Sequence, residues 1–172
     1  DAPKRGVGEV AKLIREGAQA LVAAILDCEK PVIAAVSGTA AGIGAHMVFA
    51  CDLVLATEDS RFIEVFIRRG LVPDGGGAYL LPRRLGIQRT KELLFFGDDL
   101  SATDAHELGL VNRVVAPGEF DAIVQEWTDR LAVAPTRALA LTKALVNHSL
   151  DSDRATAFAE EATAQELNMS TV

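Results

Sequence analysis

Two stretches of this chain gather residues that can do chemistry. The first is GLVPDGGGAYLLPRRLG, Gly70 to Gly86, where Asp74 stands between a proline and three glycines ahead of an apolar helical pattern. A carboxylate there has two uses. It can cap a helix, which the pattern starts at Gly75, because aspartate is among the best N-cap residues. It can also take a proton and return it. Capping amides would favour its charged form. The apolar company of Phe66, Leu71 and Val72 would favour its neutral form, so the residues leave both uses open.

The second stretch is AAVSGTAAGIGAH, Ala34 to His46. An apolar run passes through a turn of small residues into a helix. Small residues let a ligand come close to the backbone. The first amides of the helix lack an internal partner and carry partial positive charge, which suits a phosphate or an oxyanion. The stretch is neither GxGxxG nor a P-loop, and close helix–strand packing would explain it equally well. His46 lies one turn past Gly42. It is a candidate second acid or base if its imidazole faces a pocket, and a half-buried structural histidine otherwise. His106 and His148 fall in expected surface helices and receive no role. Cys28 and Cys51 match no metal spacing, so no metal is expected and both are read as small buried or half-buried thiols.

These residues need a scaffold, and 172 residues suffice for a domain with a core. Hydrophobic residues make up 49%, which argues against disorder. The aromatic share of 5% points to a core of Ala, Val, Leu and Ile, suited to helices packed closely on a sheet. A net charge of -7 argues against nucleic acid as the main partner. No apolar run approaches the roughly 20 residues of a membrane span, and no signal peptide opens the chain. The expectation is a soluble, cytoplasmic protein.

The apolar pattern predicts a helix over 8–28, with Val10, Leu13, Ile14, Leu21, Ile25 and Leu26 on its inner face. Val32–Val36 and Asp52–Thr57 read as buried strands, the first of them parallel. A short helix reaches about Ala50, and Arg61 to Ile67 reads as a short strand or turn. Helices follow over 75–85 and 88–96. Ser101 and Asp104 resemble a capping box for a helix over 102–108. LVNRVV is a strand, and from Glu119 the chain is helical, with breaks near Pro135 and at 149–152. Strands alternating with helices over short loops make an α/β fold. The apolar residues of the last third are thinly spread, which suits packing against another subunit.

Three segments, in order, carry a resemblance. They are KPVIAAVSGTAAGIGAHMVFACDLVLATEDSRF, GLVPDGGGAYLLPRRLG and LLFFGDDLSATDAHELGLVNRVV. Together they resemble the crotonase superfamily, the enoyl-CoA hydratase/isomerase family, from Lys30 to about Val115. The resemblance implies a fold of repeated ββα units, with residues 1–118 in the core and 119–172 in a helical region that packs in trimers or dimers of trimers. It implies an acyl-CoA thioester as ligand, with coenzyme A entering only as part of that thioester and no further cofactor. The thioester oxygen would be held by two backbone N–H groups. One is the amide of Ile43, where members often have glycine; isoleucine keeps the N–H and narrows the space. The other belongs to a motif expected before Asp1, so this chain would carry half of the oxyanion hole. Ala41, Gly42, Phe66, Leu71 and Gly75 would surround the substrate. Arg68, Arg69, Arg83, Arg84 and Arg89 would either meet coenzyme A phosphates or a subunit, or form a solvated surface.

A hydratase of this family uses two glutamates. Their positions hold His46 and Phe66 here, so two-carboxylate hydration is not expected. Glu64, two residues from Phe66, is read as a rim glutamate rather than a displaced base. Asp74 occupies a place where dienoyl-CoA isomerases, phenylacetate-pathway isomerases and 4-chlorobenzoyl-CoA dehalogenases carry a carboxylate. The phenylacetate-type isomerases share the pattern LVPDGGG followed by LLPR. The expected activity is therefore an enoyl-CoA double-bond isomerase with Asp74 as proton shuttle. Hydration by Asp74 and His46, or acyl-CoA binding without catalysis, are the alternatives.

Overall fold

The computed structural model describes residues 6–170. The chain opens with α1 (Glu9–Ile14), a π-helical turn (Arg15–Gln19) that contains Gly17, and α2 (Ala20–Leu26). Its apolar face is only partly covered. Val10, Leu13 and Leu21 are exposed, Ile14, Ile25 and Leu26 are half-buried, and Val22 alone in this arm is buried.

Two small sheets meet at a corner. β1 (Ile33–Val36), β3 (Leu53–Thr57) and β6 (Arg113–Val115) form a parallel sheet in the order β1-β3-β6. β2 (Thr39–Ala41), β4 (Arg61–Ile63) and β5 (Asp99–Ser101) form the second, in which β2 runs parallel to β4 and β5 antiparallel to it. Ser60 ties the corner. Its hydroxyl donates to the Val36 carbonyl at 2.9 Å and accepts from the Gly38 amide at 3.1 Å. After β2 comes α3 (Ile43–Ala50), and after β4 a 3-10 turn (Ile67–Arg69) leads to α4 (Gly77–Leu85) and α5 (Ile87–Phe96). These are two ββα passes. β2 and β5, three residues each, were not expected from the sequence, which read the first as a turn and the second as the approach to a helix.

Small side chains set the spacing. Val36, Val54 and Ala56 pack against Ala45, Phe49 and Ala50 of α3, Leu80 and Leu81 of α4, and Ala102 and Ala105 of α6 (Ala102–Glu107). Ser101 caps α6 by accepting from the Asp104 amide at 3.0 Å, as the capping pattern predicts, while the Asp104 carboxylate accepts from the Ser101 hydroxyl. On the opposite sheet face, Leu55 and Val115 pack against Phe120 at the start of α7 (Phe120–Ala132).

α8 (Thr136–Ser149) and α9 (Arg154–Met169) follow, broken where expected by Pro135 and by the Asp153 cap. Lys143 pins α8 to the body. Its ammonium donates to Asp52 at 2.8 Å and to the Ile25 carbonyl at 3.0 Å, while Asp52 also accepts from the Val32 amide. Lys143→Met keeps the aliphatic stem but removes the charge from a half-buried carboxylate. It is expected to cost about 1.5 kcal/mol in urea unfolding. Val146, Leu150, Phe158, Leu167 and Met169 of this region remain exposed. No helix among the described residues is long and apolar enough to cross a membrane.

Four of the five arginines have partners of their own within the chain. Arg68 meets Asp99, Arg83 meets Asp151, Arg89 meets Glu92, and Arg84 reaches the Cys51 carbonyl. Tyr79 turns to Asp151, to which it donates at 2.7 Å under a stacked Arg83. The Arg83 and Tyr79 hydrogen bonds hold Asp151 below the usual carboxylate range. Burial pushes the Cys51 thiol up and the neighbouring Arg84 guanidinium down.

Candidate active site

The β2–β4 pairing builds the site. Ala41 faces Ile63 in register, and the Gly42 amide donates to the Ile63 carbonyl at 2.8 Å. The segments leaving the two strands therefore emerge side by side. One is α3 and the other is Glu64 to Phe66. Gly42 turns the chain with φ 55, and a Cβ there would come within 3.2 Å of Val65, so glycine is required twice over. The Ile43 amide opens α3 and has no acceptor among the described residues, which leaves it available to an oxyanion.

His46 lies on the first turn of α3 and is 0% exposed. Its Nε2 pairs with Glu64 Oε2 at 3.0 Å, and Glu64 is itself 5% exposed. The expectation of a rim glutamate is thus corrected. Glu64 follows β4 directly, and the strand register turns it inward beneath α3. The Phe66 ring stacks on the imidazole, centroids 5.2 Å apart and planes 14° from parallel.

The three glycines have separate reasons. Gly76 has φ 95 and is the N-cap of α4. A Cβ on Gly75 would lie 2.9 Å from His46 Nδ1, and one on Gly77 would overlap the ring, 2.8 Å from Cε1 and 2.9 Å from Cδ2. Gly75 and Gly77 are there to admit an imidazole.

This arrangement corrects the expected helix start at Gly75, and of the two uses left open for Asp74 it removes capping. The helix begins at Gly77 rather than Gly75, and no side chain caps it. Asp74 lies before the cap, its carbonyl accepts from Gln19 at 3.2 Å, and its Oδ1 is buried with no hydrogen-bond partner among the described residues. Of the other candidates, Ala41, Ile43 and Leu71 are exposed at this face, while Gly42, Phe66 and Gly75 are buried. The site therefore joins an open apolar rim, a free helix-terminal amide, an inward carboxylate oxygen and a buried histidine–glutamate pair. Sequence reading missed the pair. The signal was the recurrence of a ββα pass, which brings the residues after the second and fourth strands together.

Comparison with known proteins gives the chain a family. The family model described as enoyl-CoA hydratase/isomerase matches residues 4–171. The chain is 40% identical over 127 residues to the 1,2-epoxyphenylacetyl-CoA isomerase of Escherichia coli, covering 74% of this chain and 48% of that protein. It is 35% identical over 136 residues to the short-chain-enoyl-CoA hydratase of Clostridium acetobutylicum, covering 79% of this chain and 52% of that protein. The crystal structure of an enoyl-CoA hydratase/isomerase from Cupriavidus metallidurans superposes with a TM-score of 0.93 at 42% identity, over 96% of this chain and 62% of that one. The chain thus spans about half to three fifths of the curated relatives' length, 48% to 60% for the first two. Its α/β architecture is the crotonase fold, and the chain belongs to the enoyl-CoA hydratase/isomerase family.

Proposed function

We propose that the protein is an enoyl-CoA double-bond isomerase that works with one carboxylate, Asp74. The observation carrying this reading is the Asp74 Oδ1 atom, which is buried, without a partner among the described residues and not spent on capping. The aspartate takes a proton from one carbon of the allylic system, and the electron pair moves toward the thioester oxygen. The Ile43 amide holds that oxygen while charge resides on it. The aspartate then returns the proton two carbons along. Ala41, Gly42, Phe66, Leu71 and Gly75 shape the acyl site. Coenzyme A enters only as part of the thioester, no other cofactor is used, and the protein works in the cytoplasm as a homotrimer or dimer of trimers. Relatives of comparable similarity are described as an isomerase of an epoxide, at 40% identity, and as hydratases, at 35% and 37%, so the reading rests on Asp74.

The histidine–glutamate pair favours a second reading, hydration with His46 as base. Against it stands the burial of the imidazole, which leaves the ring no surface for a water molecule beside substrate. Assays with 3-hexenoyl-CoA and crotonyl-CoA separate the two. The expected result is conversion of the 3-enoyl to the 2-enoyl thioester with little water addition to crotonyl-CoA. Hydration as the faster reaction would overturn the isomerase reading.

A further inference from the structure

The segment that carries Asp74 has few restraints of its own. Three glycines follow the aspartate, and glycine leaves a backbone many conformations to choose from. Among the described residues, the backbone from Val72 to Gly75 makes one hydrogen bond: the Gln19 side-chain amide donates to the Asp74 carbonyl at 3.2 Å. Val22 stands three residues past Gln19, on the same side of the helix. It is buried, and its Cγ1 would meet a Cβ on Gly76 at 3.3 Å. Gly76 thus faces this arm, whereas Gly75 and Gly77 face the imidazole. The π-helical turn sets the arm's inner side. Ile14, Ala18, Val22 and Leu26, spaced by four, are all buried or half-buried. In a straight α-helix each step of four overshoots a full turn by about 40°, and such a face would drift away from the body. The wider turn at Arg15–Gln19 offsets the drift, and turns of this kind are frequent at functional sites. Lys143 and Asn147 of α8 hold the far end of the arm, at the carbonyls of Ile25 and Leu26.

We propose that Gln19 is a positioning residue for Asp74. The arm, fixed to α8 at one end, holds the Asp74 carbonyl through Gln19. That carbonyl is bonded to the same Cα as the side chain, so anchoring it restricts where the carboxylate can swing. The proposal rests on the isomerase reading of Asp74. Gln19 takes no part in the proton transfer itself. Its restraint acts on geometry, to which catalysis is sensitive at the scale of about an ångström. A base on a glycine-rich loop gains that precision only from a rigid neighbour that holds it.

The test uses the whole protein carrying this chain, with 3-hexenoyl-CoA as probe. Gln19→Met keeps the length and helix preference of the side chain but cannot donate. It is expected to lower kcat by about 10-fold, with KM changed less than about twofold. Gln19 is exposed, so the melting temperature should not move. Gln19→Ala should behave alike, and it carries the test if Gln19→Met does not fold. In an Asp74→Asn background the residual rate should fall no further when Gln19 is replaced, because no base remains to be positioned. Wild-type kcat in both Gln19 variants, with Asp74→Asn slowed, would overturn the positioning role and leave the isomerase intact. A loss confined to KM or to melting temperature would overturn it as well, and so would an equal loss in the Asp74→Asn background. Absence of isomerisation by the wild type would instead sink the isomerase reading, and the positioning role with it.

Discussion

Asp74→Asn is expected to lower kcat for the double-bond shift by about 10²- to 10⁴-fold, the usual contribution of a positioned general base. That is a barrier increase of roughly 3–5 kcal/mol. The amide has the shape of the carboxylate, so acyl-CoA affinity should hold. Stability should hold as well, and this separates a proton-transfer role from a capping one. The side chain caps nothing in α4, and Gly76 is the N-cap. It also leaves one buried carboxylate oxygen without a partner among the described residues. A neutral amide relieves that cost of burial, so the variant should melt at or slightly above the wild-type temperature. Stopped turnover with retained binding and undiminished melting temperature is the expected pattern. A clear drop in melting temperature with normal turnover would return Asp74 to a structural role.

Gly77→Ala should be the most damaging single methyl group in the molecule. By helix propensity the change would help by about 1 kcal/mol, since Gly77 is the first residue of α4 and has no positive φ. Packing reverses the sign. The new methyl would overlap the His46 ring. That ring cannot retreat, because Phe66 stacks on it and Glu64 holds Nε2. Overpacking on the order of 3 kcal/mol, together with loss of the buried His46–Glu64 hydrogen bond at about 1 kcal/mol, outweighs the propensity gain. A net loss of about 3 kcal/mol in urea unfolding is expected. His46→Ser in the Gly77→Ala background should recover part of it by opening the space. Additive losses in the two variants would show that the overlap is not the cause.

Much of the scaffold was readable because its signals are local. The apolar runs at β1 and β3, the Ser101 cap and the breaks at Pro135 and before Asp153 are each set by a few neighbouring residues. β2 and β5 were not readable. Three residues carry little strand preference of their own, and their pairing depends on partners about 22 and 38 positions away. The same non-locality hid the burial of Glu64. The chemistry-bearing residues Asp74, Ile43 and His46 stood out by type and spacing, but which of them faces the solvent was decided by the β2–β4 register. The role of Asp74 beside its helix turned on a two-residue shift of the helix start, within the ordinary uncertainty of element ends.

The glycines around the imidazole have a consequence for heredity. Positions 46, 75 and 77 share one volume, and position 64 owes its burial to the same ring. They are not four independent letters. A side chain at 75 or 77 becomes admissible only after the ring at 46 has shrunk, and a shrunken residue at 46 strands the acid at 64. A path of single substitutions through this part of the sequence is therefore ordered: the ring at 46 must shrink before either glycine can take a side chain.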